Sequence, residues 1–189
     1  MCMINWSPRL LRARDFFREA HDSIGQKRKF SGLSYWTHTE RVAELVSQVI
    51  NNEDVIIAAM GHDFAEDCLP ANPSYTMEQV TEAFGENVTS LITQLTDVFT
   101  KEAYAQFNRA KRKLLEAQRL GTISPEGKTL KICDLIDNTS DILAHDKGFG
   151  IQYLKEKEII LPYLKEGNQT LFLRAVGQLN ENKRLLNIR

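Results

Sequence analysis

Apolar residues recur with the period of an α-helix along most of the sequence, and no segment alternates apolar and polar side chains over the length of a strand. Glycine and proline are sparse, at 10 and 5 of 189 residues, so few positions force the chain out of a helical conformation. Hydrophobic residues make up 42% of the sequence, which is enough to form a core. The pattern therefore predicts an all-α fold of the length of one ordinary domain.

Capping residues and helix breakers locate the individual helices. Ser7-Pro8 opens the first helix and Gly25 follows its end, while Thr76 with Gln79 has the spacing of a capping box. The predicted helices cover about residues 8–23, 35–50, 53–67, 76–84, 86–99, 101–120, 127–145, 149–164 and 169–186.

Composition excludes several classes of protein. Lysine and arginine number 24 against 25 acidic residues, and this net charge of −1 lacks the broad positive field that non-specific nucleic-acid binding needs. The longest apolar run, Val55–Met60, is far shorter than the roughly 20 residues that span a bilayer. The N-terminus lacks the charged and apolar regions of a signal peptide. We therefore expect a cytoplasmic protein with neither nucleic acid nor a membrane as a partner.

The cysteine pattern excludes sulfur-based stabilisation. Cys2, Cys68 and Cys133 are an odd number and contain no CxxC pair. We therefore expect neither a disulfide framework nor a thiolate zinc site.

Ionisable residues follow directly after the longest apolar run, where charge is costly. On a continuous helix His62 lies one turn before Glu66. Asp63 likewise lies one turn before Asp67, so all four side chains can point into one cavity. Buried charge at this density requires a metal or counter-charges. The alternative is the end of a helix that emerges into water.

Two other segments offer the same ligand chemistry. His38 lies in register with the apolar stripe of the second predicted helix, although a hydrogen-bonded core histidine would fit there too. Asp134 and Asn138 lie one turn apart on a later helix, where a solvated face is the alternative. An imidazole, a His-Asp pair and a distant aspartate would form a nitrogen-and-oxygen site, which suits Mn²⁺, Fe²⁺ or Zn²⁺.

The order of these residues resembles that of the HD-domain metal-dependent phosphohydrolases. The fuller pattern resembles the (p)ppGpp hydrolase domain of the RelA/SpoT group, in the stand-alone small alarmone hydrolase form to which the metazoan SpoT homologue belongs. The resemblance covers about residues 10–165. The matching segments are Gly25-Gln-Lys-Arg-Lys29, Ser31-Gly32, Tyr35 with His38, His62-Asp-Phe-Ala-Glu-Asp67, Phe84-Gly85, Thr96-Asp97, Ser124-Pro125 and Lys131-x-x-Asp134-x-x-x-Asn138.

The resemblance implies an HD-domain helical bundle with a metal site between its helices. It implies a single hydrolase domain over residues 1–189, with a core of about 10–165 and a C-terminal helix of about 169–186. The implied ligands of one Mn²⁺ per chain are His38, His62, Asp63 and Asp134. The implied catalytic acidic pair is Glu66 and Asp67. The implied substrate-binding residues are Arg28, Lys29 and Asn138.

The implied reaction is hydrolysis of the 3′-pyrophosphate of ppGpp or pppGpp, an alarmone of the stringent response, to give GDP or GTP and pyrophosphate. A pocket for this group also suits other ribose phosphates, so a hydrolase of a deoxynucleotide, NADPH or a dinucleoside polyphosphate is an alternative. A nucleotide-binding module without turnover is another. Arg28 and Lys29 could then be a solvated basic loop. The sequence does not predict the oligomeric state.

Overall fold

The computed structural model describes residues 6–188, and the chain divides into two compact units, Met1–Thr96 and Asp97–Arg189. Helices form both units, and no β-strand occurs within the described residues, which confirms the all-α prediction. None of the helices in this part of the chain is long and apolar enough to cross a membrane. The organisation of all 189 residues as one domain stays a prediction. Cys2 lies outside the described residues, while Cys68 and Cys133 are buried free thiols.

The first unit is built around a short buried helix. Its helices are α1 (Pro8–Ser23), α2 (Trp36–Ser47), α3 (Glu53–Met60), a π-helix (Phe64–Cys68), α4 (Leu69–Ala71), α5 (Met77–Phe84) and α6 (Glu86–Leu95). The residues from Val55 to Met60 are at most 5% exposed, because α1, α2 and α6 all pack on α3. The hydroxyl of Ser7 caps α1, and Thr76 with Gln79 forms the predicted capping box of α5.

The predicted helix over residues 53–67 is wrong beyond Met60. There α3 ends in a turn, and the chain re-enters a wider π-helical conformation at Phe64. A Cβ atom on Gly61 would overlap the ring of Phe17 and the side chain of Ile92, so the close packing of this turn requires glycine. The one-turn stacking that a continuous helix would impose therefore does not apply here. Short π-helical turns are frequent at functional sites.

The second unit contains α7 (Arg109–Leu120), α8 (Pro125–His145), α9 (Lys147–Ile160), a 3₁₀ turn (Leu161–Leu164) and α10 (Gln169–Leu185). Both α9 and α10 pack on α8. The helix predicted over 101–120 begins only at Arg109, because Asn108 caps it by accepting the N–H of Lys111. The helix predicted over 86–99 ends early because the N–H groups of Val98 and Phe99 donate to Glu116, both at 3.1 Å.

Candidate metal centre and active site

Three of the predicted metal ligands converge in the first unit. His38 lies in the first turns of α2, and His62 and Asp63 lie in the turn after α3. The Nε2 atoms of the two histidines lie 3.7 and 3.0 Å from Oδ2 of Asp63. Atoms that each lie about 2.1 Å from one ion are separated by about 3 to 3.5 Å at tetrahedral or octahedral angles. The 3.0 Å separation lies within this range and the 3.7 Å separation lies just above it, so the group has nearly the spacing of a divalent-metal site.

Hydrogen bonds orient two of these predicted ligands. Nδ1 of His62 lies 2.8 Å from the carbonyl oxygen of Ala59, and a carbonyl only accepts, so Nδ1 carries the proton and Nε2 presents its lone pair on the side of Asp63. The hydroxyl of Tyr35 donates to Oδ2 of Asp63 at 2.6 Å. Ligands of protein-bound metals are characteristically held by such contacts.

Burial decides between the two interpretations of this segment. The side chains of His38, His62 and Asp63 are 1%, 3% and 17% exposed. A helix end that emerges into water would leave His62 and Asp63 solvated, so that alternative is wrong for these two residues. Two imidazoles and a carboxylate packed together in an apolar unit are the arrangement that a metal stabilises.

The acidic pair lies in the π-helix, where both Glu66 and Asp67 are partly exposed. The side-chain amide of Gln26 donates to Oδ2 of Asp67 at 2.8 Å. Burial, reinforced by the nearby carboxylate of Asp63, raises the pKa of Asp67 to about 6 although the Gln26 hydrogen bond opposes the change. A carboxylate with such a pKa can accept a proton near neutral pH.

The basic loop between α1 and α2 folds as a hairpin in which Lys27 and Ser34 form an antiparallel bridge. Arg28 is only 4% exposed, and its N–H donates to the carbonyl of Leu33 at 2.8 Å. Lys29 is exposed, with its ammonium 5.4 Å from the centre of the Phe30 ring. The solvated-loop alternative therefore fits Lys29 and fails for Arg28.

The remaining predicted residues lie on α8 of the second unit. Asp134 is 5% exposed, so the solvated-face alternative is wrong for it. Its carboxylate lies 2.9 Å from the ammonium of Lys131 and accepts a hydrogen bond from Asn138 at 2.5 Å. Both Asp134 and Asn138 line a cavity of about 170 Å³ within this unit, together with Asp97, Lys113 and Lys157. A role of Asn138 at the nucleotide sugar stays a prediction.

Sequence reasoning assigned no role to three residues that the structure places at the site. Gln26 and Tyr35 belong to the sequence segments that match the family, and this membership was the signal that could have identified them. Their contacts with Asp67 and Asp63 emerge only when the hairpin folds against the π-helix. His21, which contacts Gln26, lies outside the matching segments and carries no signal of its own.

The chain is similar in sequence to a family of known proteins and to two curated enzymes. A family model described as "HD domain" matches residues 13–124. The guanosine-3′,5′-bis(diphosphate) 3′-pyrophosphohydrolase of Aquifex aeolicus (strain VF5) is 29% identical over 131 residues, which are 69% of this chain and 17% of that protein. The MESH1 enzyme of the same name from Homo sapiens is 29% identical over 136 residues, or 70% of this chain and 69% of that protein.

A solved structure shares the fold along nearly the whole chain. It is of a metazoan ortholog of SpoT described as hydrolysing ppGpp, and it matches with a TM-score of 0.78 at 23% identity. The match covers 97% of this chain and 98% of the other.

Proposed function

Because the chain belongs to the HD-domain family, we propose that it is a metal-dependent phosphohydrolase that removes the 3′-pyrophosphate of ppGpp or pppGpp and leaves GDP or GTP. Membership of the family implies a divalent metal. The observation that carries the proposal is the convergence of His38, His62 and Asp63, with the Asp67 carboxylate held in the same unit. The names of the curated relatives, which are pyrophosphohydrolases of this substrate, support the choice of nucleotide.

We assign one Mn²⁺ per chain to His38, His62, Asp63 and Asp134. Nitrogen and carboxylate donors without sulfur suit this ion. A divalent ion bound by these residues supplies a Lewis acid for a phosphoryl oxygen and lowers the pKa of a water. Asp134 is assigned by the family resemblance, and its burial beside a lysine and an amide is consistent with a fixed carboxylate.

The acidic pair carries the proton chemistry. Glu66 orients a water molecule, and Asp67 takes a proton from it. The oxygen of this water attacks the phosphorus attached to the ribose 3′-oxygen. The bond from phosphorus to the 3′-oxygen breaks, the 3′-oxygen takes up the proton that Asp67 removed from the water, and pyrophosphate leaves with Asp67 again a carboxylate. Arg28 and Lys29 bind the guanine base and the neighbouring phosphates, and Asn138 binds the sugar.

The test is chromatographic identification of products from ppGpp, NADPH and a panel of deoxynucleoside triphosphates in the presence of Mn²⁺. The wild type should form GDP and pyrophosphate from ppGpp, and Asp63→Ala should lose both bound metal and turnover. Asp15→Ala is the matched control, because Asp15 is an exposed carboxylate of α1, and it should behave as the wild type.

Each other outcome selects a different function. Cleavage of another nucleotide in place of ppGpp would retain the hydrolase and replace its substrate. Binding of nucleotides without turnover of any of them would favour a binding module, detected as ligand-dependent thermal stabilisation. Normal activity of Asp63→Ala with a full complement of metal would overturn the metal site. The cytoplasmic location and the absence of a nucleic-acid partner stay predictions.

A further inference from the structure

A completely buried histidine lies behind the proposed acidic pair. His21, in the last turn of α1, is 0% exposed, and its Nδ1 lies 2.6 Å from Oε1 of Gln26. The ring centre of Tyr35 is 5.1 Å from that of His21, and the sulfur of Cys68 lies 3.4 Å from Nδ1. The imidazole is therefore enclosed on several sides by the residues that surround the site.

The direction of the hydrogen bonds follows from the chemistry of the partners. The Asp67 carboxylate accepts, so the Gln26 amide must turn its NH₂ group toward Asp67 and its oxygen toward His21. An amide oxygen also only accepts, so Nδ1 of His21 must carry a proton. Burial lowers the pKa of His21, so the ring is neutral and Nε2 is without a proton.

The backbone holds Gln26 in the same place. Its N–H donates to the carbonyl of His21 at 3.2 Å, and its own carbonyl accepts the N–H of Tyr35 at 3.1 Å. With both ends of the amide and both backbone groups engaged, Gln26 has little freedom to rotate. Oδ1 of Asp67 makes no hydrogen bond among residues 6–188.

We infer that His21 is a positioning residue, which through the Gln26 amide holds the Asp67 carboxylate by Oδ2 and directs Oδ1 to the reacting water. The inference rests on the proposed function, in which Asp67 accepts the proton. Loss of a residue that orients a catalytic group typically costs 10-fold to 100-fold in activity. Substrate and metal bind through other side chains, so the effect should fall on kcat.

Two substitutions at His21 separate this role from simple packing. In His21→Asn the side-chain NH₂ can occupy the place of Nδ1–H and restore the donor to Gln26, although the side chain is smaller. In His21→Phe an aromatic ring, larger than the imidazole, is kept and the donor is lost. We expect His21→Phe to lower kcat about 10-fold to 100-fold with KM and bound metal within about twofold of the wild type. We expect His21→Asn to retain most of kcat.

The reverse order would overturn the inference, because a residue that only fills space tolerates phenylalanine better than asparagine. The double variant His21→Phe/Gln26→Leu should be no slower than Gln26→Leu alone, since His21 acts through Gln26. Additive losses would contradict this. A wild type that turns over no nucleotide overturns the proposed function as well, whereas an active wild type with an equally active His21→Phe overturns only this inference.

The imidazole tautomer gives a measurement on the wild-type protein that does not depend on its activity. Nitrogen-15 NMR of histidine-labelled wild-type protein should show a protonated Nδ1 and an unprotonated Nε2 for His21. The His21→Asn spectrum identifies the signal by its absence. A proton on Nε2 in place of Nδ1 would remove the donor and overturn the inference.

Discussion

The second unit contains a buried lysine whose charge should destabilise the folded chain at neutral pH. Lys157 in α9 is 0% exposed, and its ammonium donates to Thr139 at 2.9 Å and to Gln178 at 2.7 Å. Both partners are neutral. Burial therefore lowers the pKa of Lys157 from 10.5 to about 7, although Asp134 opposes the change.

The sign and the size of the effect follow from this pKa. Between about pH 7 and pH 10.5 the unfolded chain holds the proton of Lys157 more tightly than the folded one. The free energy of unfolding therefore rises with pH across this window, and the stability gained at high pH is lost as the pH falls toward 7. An interval of about 3.5 pKa units corresponds to about 5 kcal/mol, of which about 3 kcal/mol accrues between pH 7.5 and 10.

Lys157→Met removes the charge and keeps an unbranched side chain. The hydroxyl of Thr139 still donates to the carbonyl of Leu135 at 2.5 Å, but the side-chain oxygen of Gln178 loses its donor, at a cost of about 1–3 kcal/mol. We therefore expect the variant to be about 1–3 kcal/mol more stable than the wild type at pH 7.5 and to lose this advantage by pH 10.

The assay is urea unfolding followed by circular dichroism from pH 7 to 10, with a chelator and a reductant present. Lys155→Met is the control, because Lys155 is an exposed lysine of the same helix, and its difference from the wild type should not depend on pH. A difference between wild type and Lys157→Met that stays constant within about 0.5 kcal/mol over this range would refute the reasoning, because a desolvated ammonium must titrate in it.

Three further predictions concern the proposed site. The raised pKa of Asp67 makes the wild type lose stability as the pH rises from about 4 to about 6. Asp67→Asn should therefore raise the Tm of chelator-treated protein at pH 7.5 and leave it unchanged at pH 4. Equal changes in Tm at the two pH values would contradict this. Glu66→Gln should keep its metal and lose about 100-fold in kcat, while the exposed Glu82→Gln should keep both. Loss of metal from Glu66→Gln would place this residue among the ligands. Arg28→Ala should raise KM more than it lowers kcat in steady-state assays, and an unchanged KM would exclude substrate binding by this buried guanidinium.

Local signals in the sequence located most helices. The hydroxyl of Ser7 and the capping box of Thr76 act on the backbone within three residues, so the starts of α1 and α5 could be predicted. The helix predicted from about residue 127 begins at Pro125, where the hydroxyl of Ser124 caps α8. The end of α6 could not, because it depends on Glu116, which lies 17 residues beyond Phe99 and accepts its N–H. Helix ends set by such distant partners leave no local pattern.

The same distinction applies to the site. The grouping of His38, His62 and Asp63 could be predicted from their order along the chain, and their role as metal ligands stays a prediction. The burial of Arg28 and the hydrogen bond from Gln26 to Asp67 could not be predicted, because neither leaves a local pattern in the sequence, and the second joins residues 41 positions apart. The solvated alternative failed at Asp134 for a related reason. Residues of α9 line the cavity beside Asp134, and the helical pattern of α8 alone does not show which of its faces a later helix covers.

The turn that carries His62 and Asp63 exists because no side chain intervenes at Gly61. A methyl group there would meet the Phe17 ring and Ile92, both of which are fully buried, so neither can move away freely. Gly61→Ala should therefore lower the free energy of unfolding by about 1–3 kcal/mol and weaken Mn²⁺ binding, because relief of the overlap must displace the turn.

The matched control is Gly177→Ala, at an exposed position of α10 where an added Cβ meets nothing within 4 Å. There alanine should stabilise the helix by about 1 kcal/mol and leave metal binding unchanged. Chemical unfolding and titration calorimetry with Mn²⁺ measure the two effects separately. If Gly61→Ala bound Mn²⁺ with wild-type affinity, the ligands would not depend on the position of this turn, and the link between the broken helix and the metal site would be refuted.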